Sequence, residues 1–114
     1  MTLSPYIYPG LSFIPRDLEE ILSIVASTAG LNVAELRTKR RKTEVVTARH
    51  IYCYLAKENT PYSYSTIGSV LGEYDHSTVI YACNKTRERI DVKDALTMSL
   101  LNKIQKNFYN TKTE

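Results

Sequence analysis

The sequence has 114 residues, a formal net charge of +3 and two cysteines. This length suits one domain with a modest core, and the lack of a transmembrane-length apolar run or a basic-then-apolar signal peptide leads us to expect a cytoplasmic protein without a membrane span. Cys53 and Cys83 are too far apart for a Cys-x-x-Cys metal site, so we expect free core thiols and no bound metal.

Residues 1–15 are predicted to form an extended N-terminal arm. They include Pro5, Pro9 and Pro15, which disfavour regular helix. Six apolar or aromatic residues lie between Pro5 and Pro15 and argue against a purely solvated tail. We expect this arm to lie either along the domain or on a protein partner.

The next segment predicts two short helices. Acidic residues at its start and apolar residues at helical spacing favour a first helix, which Gly30 ends. Asn32 and Glu35 then form a capping box, the pattern that opens a second helix. The apolar stripe of the first helix consists of Leu18, Ile21, Leu22, Val25 and Ala29.

A cluster of positive charge follows these helices. Six basic residues against one acid give residues 37–49 a local charge of +5. Such a cluster favours a polyanionic partner, although a solvated loop without a ligand is the alternative. The sequence predicts a basic loop over residues 38–46.

Thr47 is predicted to cap a third helix of about ten residues, whose inward face carries Ala48, Ile51 and Leu55. Arg49 would then lie in the first turn, where a cation opposes the helix dipole. A bound phosphate would relieve that conflict, which supports a role for Arg49 in binding.

Residues 63–90 predict a helix-turn-helix. A short helix over residues 63–71 ends at Gly72, and Asp75 can cap the next helix by accepting from the backbone N–H of Thr78. The packing face of the helix that Asp75 caps consists of Val79, Ala82, Cys83, Thr86 and Ile90.

The first turn of the helix that Asp75 caps carries short polar side chains. His76, Ser77 and Thr78 suit a helix N-terminus that enters the major groove of DNA and reads base edges. Asp75 as a cap alone and His76 as a surface residue are the structural alternatives. Asp75, His76 and Ser77 cannot form a catalytic triad, because consecutive residues on one turn point in different directions. We therefore expect neither an enzyme nor a cofactor.

The remaining chain predicts an amphipathic helix and a polar tail. No strand pattern competes, so the expected fold class is all-α, with about six helices around the helix-turn-helix. The expected organisation is an arm over residues 1–15, a DNA-binding domain over residues 16–109 and a flexible tail over residues 110–114. The apolar face of the last helix consists of Leu96, Leu100, Leu101, Ile104 and Phe108.

Three stretches together resemble the C-terminal DNA-binding domain of the bacterial replication initiator DnaA. They are residues 33–41, residues 48–57 and residues 67–83. The resemblance covers roughly residues 16–109 and implies the DnaA C-terminal, Trp repressor-like fold. The positions that fit the family signature in order and spacing are Gly72, Asp75, His76, Ser77, Thr78, Val79, Ala82 and Cys83.

The resemblance implies double-stranded DNA as the partner and gives roles to individual residues. In the family, the basic loop enters the minor groove through an arginine and the recognition helix enters the major groove. The positions expected to contact bases are Arg41, Asp75, His76, Ser77 and Thr78. The positions expected to contact phosphates are Arg40, Lys42, Arg49, His50, Ser65 and Lys85.

Three positions depart from the family pattern. Tyr74 stands where the family has an arginine, Ser65 stands where it has a base-contacting proline, and Asn84 stands where it has a basic residue. Losing two cations weakens the attraction to phosphate. We therefore expect this protein to bind DNA as the family does. The recognised sequence is expected to be related to the standard initiator box, or to be a less strictly defined form of it.

The sequence contains no Gly-x-x-x-x-Gly-Lys-Ser/Thr phosphate loop, so we expect no ATP binding by this chain. The expectation is a free-standing DNA-binding domain in the nucleoid that acts as a regulator, a competitor for initiator sites or a replication accessory. Two alternatives stay open: a protein-interaction module built on the arm and the last helix, and a non-specific nucleic-acid binder. Among the nine tyrosines, five are expected at core edges rather than on a single-strand stacking surface: Tyr52, Tyr54, Tyr62, Tyr64 and Tyr81.

Overall fold

A computed structural model describes residues 18–113, with side chains through residue 107, so the predicted arm lies outside the described residues. This part of the chain forms six helices and no strand, which confirms the all-α prediction. The helices are α1 (Leu18–Thr28), α2 (Val33–Leu36), α3 (Thr43–Asn59), α4 (Tyr64–Gly72), α5 (His76–Asp91) and α6 (Ala95–Thr113).

Helix α3 is the centre of the fold, because it packs against each of the other five helices of the described chain. Its side chains are buried on nearly every side from Thr47 to Ala56. The hydroxyl of buried Tyr52 donates to the carbonyl oxygen of Ile67 at 3.0 Å, which satisfies its polar group and joins α3 to α4. Cys53 and Cys83 are free and buried, as predicted.

The start of α3 differs from the sequence prediction. The helix begins at Thr43 with Lys42 as its N-cap, and no side chain makes a cap hydrogen bond there. The prediction that Thr47 caps the helix is wrong, because Thr47 is buried inside it. Val45 is only 1% exposed and adds one more apolar position to the inward face, which extends the helix by a turn. The basic loop therefore spans residues 38–42.

The short elements before α3 follow their local patterns. The predicted capping box is present: Glu35 N donates to Asn32 Oδ1 at 2.8 Å, and Asn32 N donates to Glu35 Oε1 at 3.0 Å. The predicted α1 stripe is buried except for Ala29, which follows the end of the helix and is half-buried.

The turn between α4 and α5 is tight. The backbone at Gly72 and Glu73 has φ values of 118° and 64°, and the first of these is a region that glycine adopts most readily. The Tyr74 N–H donates to the carbonyl oxygen of Gly68 at 3.1 Å, so the chain returns against the end of α4. A Cβ at Gly68 would overlap the carbonyl oxygen of Tyr74.

Helices α5 and α6 begin at side-chain caps. The carboxylate of Asp75 accepts from the Thr78 N–H at 2.9 Å, which confirms the predicted cap of α5. The carboxylate of Asp94 accepts from both the N–H and the hydroxyl of Thr97, at 3.1 and 2.9 Å. Helix α6 continues to Thr113, beyond the domain boundary predicted at residue 109.

Candidate nucleic-acid interface

The polar tip of α5, residues 75–78, is exposed. Asp75 is anchored by its cap hydrogen bond, and bonds from the backbone and side chain of Thr78 lower the pKa of its carboxyl group. The carboxylate is therefore ionised at neutral pH and stays exposed while it caps the helix. His76, Ser77 and Thr78 follow it and add exposed hydrogen-bonding side chains.

The basic loop is held by Arg49. This arginine is only 7% exposed, and its guanidinium donates to the carbonyl oxygens of Leu36, Thr38 and Arg40 at 3.0, 2.8 and 3.2 Å. It lies in the second turn of α3 rather than the first, so the predicted conflict with the helix dipole does not arise. The predicted phosphate contact by Arg49 stays a prediction, and the buried guanidinium does not favour it.

Tyr74 joins the basic loop to the polar tip. Its hydroxyl donates to the carbonyl oxygen of Thr38 at 2.8 Å, and the ammonium of Lys39 lies 3.6 Å from the centroid of its ring. Since Asp75 follows directly, the loop and the tip of α5 lie side by side. Arg40, Arg41 and Lys42 are all exposed on this loop.

Not all of the local positive charge faces outward. The guanidinium of Arg37 donates to both carboxylate oxygens of Glu19 at 2.9 Å and to the carbonyl oxygen of Val70 at 3.0 Å. Arg37 therefore connects α1 to α4 and is not available as a free cation of the predicted cluster.

His50 lies half-buried between α3 and α5. Its Nδ1 is 3.0 Å from Nη1 of Arg89, and because a guanidinium only donates, Nδ1 accepts and the ring proton is on Nε2. Burial, followed by the charges of Arg89, Arg49 and Lys85, lowers the pKa of His50 to about 4. Any contact with phosphate would therefore use a neutral N–H donor.

The two other predicted phosphate positions are accessible. Ser65 is exposed in the first turn of α4, where Ser63 caps the helix by accepting from the Thr66 N–H. Lys85 is half-buried on α5, and its ammonium lies 3.3 Å from the carboxylate of Glu88. This ion pair lies within one helix and is partly open to solvent, so it leaves Lys85 free to exchange partners.

Tyr81 is a surface residue of α5 that the sequence-based reasoning placed at a core edge. It is 56% exposed, and its ring meets that of His50 edge to face at 5.9 Å between centroids. Ser77, Tyr81 and Lys85 are spaced by four residues and so share one face of the helix. Tyr52 and Tyr54, by contrast, are in the core.

Among the described residues, no group of His, Cys, Asp and Glu side chains could hold a metal ion. None of the described helices combines the length and the hydropathy that crossing a bilayer requires.

Comparison with known proteins identifies relatives of this chain. Residues 18–86 match the family described as "Bacterial dnaA protein helix-turn-helix". The chain is 36% identical over 83 residues to the chromosomal replication initiator protein DnaA of Picosynechococcus sp., a match that covers 73% of this chain and 18% of the relative. It is 41% identical over 75 residues to that of Bacteroides thetaiotaomicron, covering 66% and 16%, and 39% identical over 83 residues to that of Chloroflexus aggregans, covering 73% and 17%. The chain thus matches less than a fifth of the length of these relatives.

Proposed function

The chain belongs to the family of bacterial DnaA helix-turn-helix domains, and we propose that it binds double-stranded DNA sequence-selectively, with α5 in the major groove and the basic loop in the minor groove. One observation supports this most: an exposed polar helix tip and an exposed cationic loop lie side by side, joined by the Tyr74–Thr38 hydrogen bond. Such a pair can approach two neighbouring grooves of one duplex.

Within this proposal, bases are read from two sides. The side chains of the polar tip hydrogen-bond base edges in the major groove, where each base pair presents a distinct pattern. Arg41 enters the minor groove, where narrow A·T-rich segments enhance the negative potential. Arg40, Lys42, His50, Ser65 and Lys85 position the protein by contacts to phosphates, which carry no sequence information directly.

The recognised DNA sequence is related to the box that DnaA proteins bind, or is a less strictly defined form of it. Tyr74 and Asn84 carry no positive charge, and Ser65 lacks the proline ring, so contacts that those positions make in the family change here. As a regulator or replication accessory, the protein would act with the nucleoid in the cytoplasm.

Selection of bound sequences from a random duplex pool, followed by titration of the selected site against scrambled DNA, tests this function. We expect His76→Ala with Thr78→Ala to weaken binding to the selected site by about 1–3 kcal/mol per lost base contact, with little change on scrambled DNA. Arg40→Ala with Arg41→Ala should weaken binding to both duplexes.

Lys103→Ala is the matched control, because it removes an exposed cation from α6 and should leave both affinities unchanged. Equal, salt-suppressible affinity of the wild type for selected and scrambled duplexes would contradict the sequence-selective part. The absence of any duplex binding would contradict the function as a whole.

A further inference from the structure

Tyr74 occupies the position before the cap of α5, but its polar atom is directed at the protein. The hydroxyl donates its single proton to the carbonyl oxygen of Thr38 at 2.8 Å, so this group has no second proton to give to a DNA phosphate. The side chain is half-buried against the basic loop. An effect of Tyr74 on bound DNA therefore has to act through another residue.

Lys39 is that residue. Its ammonium lies 3.6 Å from the centroid of the Tyr74 ring, well inside the distance of about 6 Å over which a ring face attracts a cation. The backbone on either side of Lys39 is also fixed: the carbonyl oxygen of Thr38 accepts from Arg49 and Tyr74, and that of Arg40 accepts from Arg49. Both ends of this lysine, backbone and ammonium, are thus restrained.

The ammonium of Lys39 nevertheless remains available. The residue is exposed, and no carboxylate of the described residues lies within ion-pair distance of it, whereas Arg37 is paired with Glu19 and Arg40 lies 3.9 Å from Glu35. A fixed, unpaired cation at the junction between the loop and the tip of α5 is suited to one phosphate between the two grooves.

We propose that Tyr74 is a positioning residue that holds Lys39 as a phosphate ligand at this junction, so that residue 39 supplies the cation that position 74 lacks. This inference rests on the proposed DNA binding. Lys39 then makes a single ordered contact, which depends on the aromatic ring of Tyr74.

The slope of log affinity against log salt concentration tests the proposal, because that slope counts phosphate contacts and does not follow from folding stability. The duplex is the selected site, and the variants are Lys39→Ala, Tyr74→Leu, Tyr74→Phe and the double variant Lys39→Ala with Tyr74→Leu. Lys103→Ala again removes an exposed lysine elsewhere. Circular dichroism confirms that each variant is folded.

We expect Lys39→Ala to reduce the magnitude of the slope by about 0.9, the value for one phosphate, and Tyr74→Leu to reduce it by a similar amount. The double variant should lose no more than Lys39→Ala alone, since both changes remove the same contact. Tyr74→Phe keeps the ring and should keep the slope, even where the lost hydroxyl lowers affinity.

A slope of Lys39→Ala equal to that of Lys103→Ala overturns the proposal, as do additive losses in the double variant. Because Lys39 is exposed, the slope of Lys39→Ala can still overturn the proposal if Tyr74→Leu fails to fold. A wild-type protein that binds no duplex would instead overturn the proposed function, so the two failures are distinguishable.

Discussion

Arg49 and Tyr74, one in α3 and the other in the turn before α5, donate to the same carbonyl oxygen of Thr38, each at 2.8 Å. A carbonyl oxygen has two lone pairs, and here both serve contacts that fix the basic loop. The loop is thus tied to the core helix on one side and to the turn before α5 on the other.

Arg49→Met tests the contribution of the core side. We expect the free energy of unfolding to fall by about 1–3 kcal/mol, because part-buried carbonyl oxygens lose their donors. Arg49→Lys should rescue little, since one ammonium does not reproduce a planar guanidinium. Urea unfolding measures the change, and the control is Arg87→Met, which breaks the exposed ion pair with Glu58 and should cost at most about 1 kcal/mol. Equal losses in the two variants would contradict the assigned role.

Gly68→Ala tests the close approach of α4 to the turn. In an ordinary helix interior this change stabilises by roughly 1 kcal/mol, but here the new Cβ would overlap the Tyr74 carbonyl oxygen and crowd Val79. We expect destabilisation by about 1–3 kcal/mol, the usual range for overpacking. Thermal unfolding gives the sign, with Ser69→Ala on the neighbouring exposed residue as control. A stabilised Gly68→Ala protein would show that the turn has room.

His50 predicts a pH dependence of stability. Its folded pKa of about 4 lies below the ordinary value of 6.5, so the unfolded chain binds the proton more readily between these values. Stability from this residue is therefore full above pH 6.5, falls as pH falls, and is lost below about pH 4, with a total change of up to about 3 kcal/mol.

Urea unfolding at several pH values between 4 and 7 measures this dependence in wild type and in His50→Gln. We expect the variant to have a flatter profile, and Arg89→Ala to lie between the two, because the Arg89 charge is the second cause of the shift. His76→Gln, at the other histidine of the chain, is the matched control. An unchanged profile in His50→Gln would contradict the prediction.

Tyr81 is expected to contact the duplex, because it lies between Ser77 and Lys85 on one face of α5. Tyr81→Ala should weaken binding to the selected site by about 0.5–1.5 kcal/mol, the worth of one hydrogen bond. Tyr81→Phe keeps the ring and removes the hydroxyl, so it distinguishes the contributions of these two groups to the affinity. Fluorescence titration measures affinity, and Val92→Ala, at the end of the same helix and 75% exposed, is the control. Wild-type affinity in both Tyr81 variants would remove this residue from the interface.

Local patterns were sufficient to predict several parts of the fold. The Asn32–Glu35 capping box and the cap at Asp75 each join residues three positions apart, and the helix end at Gly72 follows from the backbone preference of that residue. Such signals are visible in a sequence because hydrogen bonding and backbone preference act between near neighbours.

The positions that sequence reasoning missed depend on distant contacts. Tyr74 and Thr38 are 36 residues apart, and Arg49 reaches back 13 residues to Leu36. Nothing in the run of basic residues distinguishes Arg49, which is buried, from Arg41, which is exposed. The start of α3 at Thr43 was also missed, because no side chain caps the helix there. The first turn is instead favoured by the burial of Val45 against the core, which is a tertiary contact.

The shared acceptor at Thr38 has a consequence for the geometry of the DNA site. In the proposed binding mode, the hydrogen bond between the loop and the turn before α5 sets the distance between the minor-groove and major-groove contacts before the protein meets DNA. Inserting one base pair between the DNA segments contacted by the loop and by the tip of α5 would move these segments apart by about 3.4 Å along the helix axis. A rigid connection between the loop and α5 cannot adjust to that change. Natural target sites should therefore vary in their bases but not in this internal spacing.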